Sequence, residues 1–176
     1  MRWIVVVLAL AAAIDAAYLT WTSLSHSVVA GCDGAGLVNC DRVFSSPWSR
    51  WLFIPVALGG ALCYAGIFAL GLLAGRLTDE ADRWAGTLLL MLSLLAAGAG
   101  VWFMLVQVIA LGAYCPYCIA THAGGLVIAG LVLALYFTRP RGEATLAQSR
   151  VGLAAVPGPG ARRPAGPRPS PGPSFA

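Results

Sequence analysis

Lysine is absent from this chain of 176 residues, and its eleven basic side chains are all arginine. Charge of either sign is scarce: charged residues make up 10% of the sequence and hydrophobic ones 59%. A soluble domain needs more charge than that to cover its surface, so a mean hydropathy of +0.81 indicates an integral membrane protein. No internal repeat of convincing length is found, and no zinc-ribbon pattern surrounds the five cysteines. The net charge of +4 belongs mostly to one edge of the chain and its tail. It bears on membrane topology and gives no reason to expect a nucleic-acid partner.

What is present is long apolar sequence. Residues 3–24, 52–75, 84–113 and 119–138 are each long enough to cross a hydrocarbon layer, which takes about 20 helical residues. Continuous runs of this length exclude transmembrane strands, so the fold class expected is an all-α membrane protein. It would be a four-transmembrane-helix bundle with an extracytoplasmic, cysteine-bearing cap of loop and half-helix. With the N-terminus inside, Arg2, Arg76, Arg83, Arg139, Arg141, Arg150, Arg162, Arg163 and Arg168 fall on the cytoplasmic side. Only Arg42 and Arg50 fall outside, and this bias predicts cytoplasmic termini in a multi-pass protein. The N-terminus also imitates a signal peptide, with small residues at Ala11, Ala12, Ala13, Ala16 and Ala17, but the run continues through Trp21.

Between the first two spans, Gly31, Gly34 and Gly36 bracket Cys32 in a polar segment that reads as a mobile loop. From Cys40 onward Val43, Phe44, Trp48 and Trp51 mix with polar residues, as expected of a segment in the headgroup layer. Pro47 limits any helix there to a short piece or starts a new one. Gly71 and Gly75 form a GxxxG step, Ala96 and Gly100 repeat the small-residue spacing, and Gly124, Gly125 and Gly130 crowd the last span. Thr78 is the expected N-cap of the third helix. Residues 1–140 form the expected membrane domain, and residues 141–176, rich in proline, glycine and arginine, the expected disordered cytoplasmic tail.

Four of the five cysteines form two pairs. Cys115-Pro116-Tyr117-Cys118 stands at the start of the last span, and Cys32 and Cys40 lie in the first loop. A CxxC at a helix N-terminus favours the thiolate that attacks disulfides, and the arginine bias places both pairs where thiols are oxidised. A relay needs one movable pair and one fixed pair. Two other readings remain open on the residues alone: a tetrahedral zinc site made of the four thiolates, and a membrane scaffold with static structural disulfides.

The run Cys40-Asp41-Arg42-Val43-Phe44-Ser45-Ser46, preceded by Cys32-Asp33 and Asn39 and followed by Trp48 and the late CxxC, resembles the vitamin K epoxide reductase family. The similarity covers roughly residues 1 to 140. It implies a quinone-linked disulfide oxidoreductase without a metal, in which Cys32 exchanges with a thioredoxin-fold partner, Cys40 passes to Cys115, and Cys118 meets a membrane quinone. Menaquinone, ubiquinone and vitamin K are the candidate quinones. The expected setting is a bacterial cytoplasmic membrane, with a separate thioredoxin-fold thiol oxidase or reductant as partner, because a proline-rich tail stands where many bacterial relatives carry a fused thioredoxin-like domain. Vitamin K epoxide is the alternative substrate. Phe44, Ser45 and Ser46 are implied as the cover of the quinone pocket, and His122 stands where animal relatives place a quinone-binding tyrosine. Pro55, Val56 and Ala57 occupy the region where animal relatives carry an asparagine.

Bland readings stand beside these. His122 could cap a helix or bond a carbonyl, Ser45 and Ser46 could be polar filler, and Cys63 is most simply a small apolar residue. Asp15 lies inside the first span, where an ionised carboxylate costs about 2.5 to 3.5 kcal/mol on insertion scales, so it is expected to be neutral or paired. A helix-packing hydrogen bond is the simpler role for it, a proton relay the bolder one. Trp21, Trp48, Trp51, Trp84 and Trp102 are expected at interfaces or in packing.

Overall fold

The computed structural model describes residues 1–32, 36–52, 54–74 and 76–138. The expected tail, Asp33 and Gly34 of the loop, and the Gly75 end of the GxxxG step lie outside them. The long helices are α1 (Arg2–Ser25), α3 (Val56–Leu73), α4 (Asp79–Leu105) and α5 (Pro116–Thr138), and the short α2 (Cys40–Phe44) lies between the first two. A π-helical turn, Val106–Leu111, prolongs α4. The four long helices are long and apolar enough to cross a membrane. Their compact unit spans Met1–Thr138.

The helices begin where the sequence signals place them, near Pro55, behind Thr78 and at the CxxC, a few residues away from the edges of the apolar runs. Arg50–Trp51 and Ile54–Pro55 pair as two short antiparallel strands, with Arg50 opposite Pro55 and Trp51 opposite Ile54, and Leu52 after the first strand has a φ of 50°. Pro55 lacks an N–H and closes the second strand, so α3 begins at Val56, four residues into the apolar run. At the last span Pro116 occupies the first helical position, which suits its fixed φ, so α5 starts before residue 119 and takes Cys118 into its first turn. Helix α4 starts at Asp79 behind Thr78, which holds the N-cap position through its carbonyl, accepting from Asp82 N at 2.8 Å. The Thr78 side chain makes no capping bond among the described residues.

Helix α1 packs on α3 and α5, and α4 on α5 and α3, so the four spans close a ring. Its centre holds Val5, Ala9, Ala12, Tyr64, Ile67, Ala96, Ile128 and Val132. Apolar burial drives little association where the solvent is itself hydrocarbon, so close packing and interhelical hydrogen bonds must hold the helices together. Gly125 shows the first: a Cβ there would overlap the Tyr64 hydroxyl. Thr121 shows the second, because its hydroxyl donates to the Asp15 carboxylate of α1 while its carbonyl accepts from Tyr64 Oη of α3 at 3.0 Å. Three helices therefore meet at one residue, a single turn after Cys118. Asp15 serves the packing role expected of it, and Trp21, Trp51 and Trp84 are strongly exposed on the outer surface.

Candidate active site: two cysteine pairs above an apolar cavity

The connections at one end of the ring carry the sulfur atoms. Asn39 caps α2, its Oδ1 accepting from Arg42 N at 2.8 Å, and this fixes Cys40 as the first residue of the short helix. Cys40 is joined to Cys32 in a disulfide with a Cα separation of 5.9 Å. The Cys40 N–H also donates to Cys32 Sγ at 3.1 Å. Cys115 and Cys118 are free thiols.

Main-chain bonds lay the first loop over the late motif. Val38 pairs with Tyr114 in a parallel bridge, with Tyr114 N donating to Leu37 O at 2.7 Å and Asn39 N to Tyr114 O at 3.1 Å. Two tyrosines grip the preceding peptide from below. Ala30 N donates to Tyr18 Oη at 3.0 Å, Tyr117 Oη donates to Ala30 O at 2.8 Å, and the two rings lie 5.9 Å apart. The result is one buried cluster of Leu19, Val29, Cys32, Cys40 and Cys115, with Cys118 packed against it. Both pairs thus come together. Cys32 is only 1% exposed, so its sulfur is shielded from solvent by the loop. Gly31 and Gly36, both at a φ of 73°, flank it with backbone that side chains resist adopting.

Cys115 is placed by its own helix. Its carbonyl accepts the first intrahelical bond, from Ile119 N at 2.9 Å, and its sulfur accepts from Cys118 N at 3.4 Å, the position of an N-cap side chain. Its pKa is held below that of an ordinary thiol, first by a hydrogen bond from the Cys118 thiol and then by the Cys118 and Tyr117 backbone N–H groups, against opposition from burial. From the π turn, Gln107 accepts the Cys115 N–H on Oε1 at 2.8 Å, and its carbonyl takes the N–H groups of Gly112 and Ala113.

Below the cluster lies a cavity of about 400 Å³. The cap contributes Phe44, Ser46 and Trp48, α3 contributes Cys63 and Tyr64, and Phe103, Gln107, Cys118 and His122 complete the wall. His122 does not cap a helix: its ring stacks flat on Phe103, with centroids 5.9 Å apart and planes 9° from parallel. Gly100 makes room for it, since a Cβ there would stand 3.3 Å from His122 Cβ. Ser45 is directed elsewhere, into a neighbouring, more polar cavity of about 510 Å³ with Asp41, His26 and Arg50. Cys63 is half-buried, and its thiol faces Leu92 O at 3.6 Å. No group of three or more metal-ligating side chains occurs among the described residues.

Gln107, Tyr18, Tyr64 and Thr121 were not singled out from the sequence. The one available signal was Gln107, the lone amide in an otherwise apolar stretch.

A model of the vitamin K epoxide reductase family matches residues 3–138. Among curated proteins, the chain is 30% identical over 115 residues to vitamin K epoxide reductase complex subunit 1 of Rattus norvegicus, covering 58% of this chain and 65% of that one. It is 31% identical over 105 residues to the subunit of the same name from Mus musculus, covering 52% and 61%. The chain therefore spans less than two thirds of the length of these relatives. With the family match running through all four apolar helices and both cysteine pairs, the chain belongs to the vitamin K epoxide reductase family, a family of membrane oxidoreductases.

Proposed function

We propose that this protein relays electron pairs from a thioredoxin-fold dithiol to a membrane quinone and so supports disulfide formation outside the cytoplasm. The observation that carries the reading is the gathering of a closed Cys32–Cys40 disulfide and an open Cys115/Cys118 dithiol in one buried cluster, with Cys118 in the wall of a quinone-sized cavity. In the relay, the partner's two thiols reduce Cys32–Cys40 and leave as a disulfide. The Cys40 thiolate then attacks Cys115 of an oxidised Cys115–Cys118 pair, expelling the Cys118 thiolate, and Cys32 attacks Cys40 to restore the upper disulfide and release Cys115. The lower dithiol passes two electrons and two protons to the quinone, giving hydroquinone and the lower disulfide. An oxidised upper pair beside a reduced lower pair corresponds to the stage just before that last transfer.

Arginine placement supports an extracytoplasmic site with cytoplasmic termini, residues 1–140 acting as the catalytic unit and residues 141–176 as a tether. The test is dithiol-driven quinone reduction by the purified protein in liposomes. Cys118→Ala should lower turnover by at least about 10³-fold while the protein stays folded, and retained turnover would remove Cys118 from its role. Cys32→Ala should abolish the mixed disulfide with a thioredoxin-fold donor. The relatives' name favours a second substrate, vitamin K epoxide, and assaying it beside quinones with the same variants separates the two.

A further inference from the structure

We propose that the Gln107 side-chain amide recognises a carbonyl oxygen of the ligand and so selects quinones over other apolar molecules that fit the cavity. The inference rests on the quinone reading above and deepens it. Gln107 is 3% exposed and lines the cavity, and it is the only amide, acid or hydroxyl side chain between residues 94 and 111. Its orientation is set by chemistry: the Cys115 N–H can only donate, so the atom it meets at 2.8 Å is Oε1. What the amide then has to offer a ligand is the Nε2 N–H pair.

Four hydroxyls of the same wall are committed as donors within the protein, which leaves the His122 ring as another donor beside Gln107. Ser46 Oγ donates to Val43 O, Ser49 Oγ to Phe44 O, Tyr64 Oη to Thr121 O, and Thr121 Oγ1 to Asp15. A carbonyl in a cavity walled by Phe44, Trp48 and Phe103 has lost its water and gains from a donor already fixed in place. The same amide that holds the Cys115 backbone meets the ligand, so a recognised carbonyl is set at a defined place beside the Cys115/Cys118 pair. Gln107 reaches that point from the π turn that follows α4, whose wider winding takes it out of the α-helical register.

The probe pair is menadione and 2-methylnaphthalene, which share a ring skeleton and differ in the two carbonyls. Binding to the purified full chain is read from quenching of tryptophan fluorescence, Trp48 being in the cavity wall and 6.1 Å from Trp102. Wild type should prefer menadione, and Gln107→Leu should weaken menadione about tenfold, the worth of one hydrogen bond, with the hydrocarbon unchanged. In turnover the loss should appear in KM for menadione more than in kcat. A purely structural role would weaken both probes together or lower kcat alone, and that result overturns the inference. If Gln107→Leu does not accumulate, Gln107→Glu, which keeps an acceptor for the Cys115 N–H, is read by the same ratio. Wild type that binds no menadione would sink the quinone reading and this inference with it, whereas wild-type binding with an unchanged ratio in the variants sinks this inference alone.

Discussion

The two buried clusters of this protein are built on different principles. In the mid-bundle cluster every buried residue, from Val5 to Val132, sits on one of the four long helices. In the cluster at the cysteine end only Leu19 does, while Val29, Cys32 and Cys115 lie in connections and Cys40 begins the five-residue α2. The first is held by close approach of helix surfaces, and the second by the disulfide, the Val38–Tyr114 bridge and the two tyrosines on Ala30. Under the proposed relay, stability rests with the helices and thiol exchange with the connecting segments. Separate substitutions should affect the two independently.

The largest effect that sharpens the contrast belongs to the mid-bundle cluster. Ile67 is fully buried, and Ile67→Ala should cost about 2 to 4 kcal/mol in reversible unfolding from detergent micelles. Under native conditions the alkylation rates of Cys115 and Cys118 should stay at wild-type values. Rates that rise in step with the lost stability would show that the two clusters open as one unit.

The same contrast explains what could be read from the sequence. The spans were legible because each depends on some twenty consecutive apolar residues, and the two sulfur pairs because their spacings are local. Proline refines the edges of the apolar runs: Pro55 ends a strand pair just before α3, and Pro116 opens α5 three residues ahead of the run that begins at Ile119. Ser45 and Ser46 are adjacent in sequence, yet Ser46 lines both cavities and Ser45 only the more polar one, because α2 ends at Phe44 and a new 3₁₀ turn starts at Pro47. Gln107 escaped notice because its importance depends on Cys115, eight residues on and beyond a π turn that has no sequence signature. Tyr18 was hidden inside an apolar run, its hydroxyl meaningful only once Ala30 folds back over it.

An intermediate effect tests the cap. Tyr117→Phe removes one hydrogen bond, to Ala30 O, and leaves the ring packed against Tyr18. It should lower global stability by about 1 kcal/mol or less. Reduction of Cys32–Cys40 by a small thiol should nonetheless quicken several-fold, because the loop opens more often. An unchanged reduction rate would mean that the main-chain bridge at Tyr114 alone holds the loop down.

The smallest effect is electrostatic and lies wholly within the late motif. Hydrogen bonds to a sulfur favour its thiolate, so the Cys115 pKa is lowered and its reaction with a small membrane-permeant alkylating agent should extend to lower pH than that of a free cysteine. Cys118→Ala deletes the leading contribution, the thiol donor, but leaves the backbone N–H of residue 118 and the position at the start of α5. The pH profile of Cys115 alkylation should therefore move upward, slowing the reaction at neutral pH by a few-fold, while Cys118→Ser, which keeps a donor, should move it less. If the late motif alone supplies the hydrogen bonds behind this shift, as it does with Cys32–Cys40 closed, the size of the shift should be the same once that disulfide is opened. A profile that instead follows the upper pair would mean that the two pairs sense each other before they exchange, and that the division between a reactive cap and an inert bundle is drawn in the wrong place.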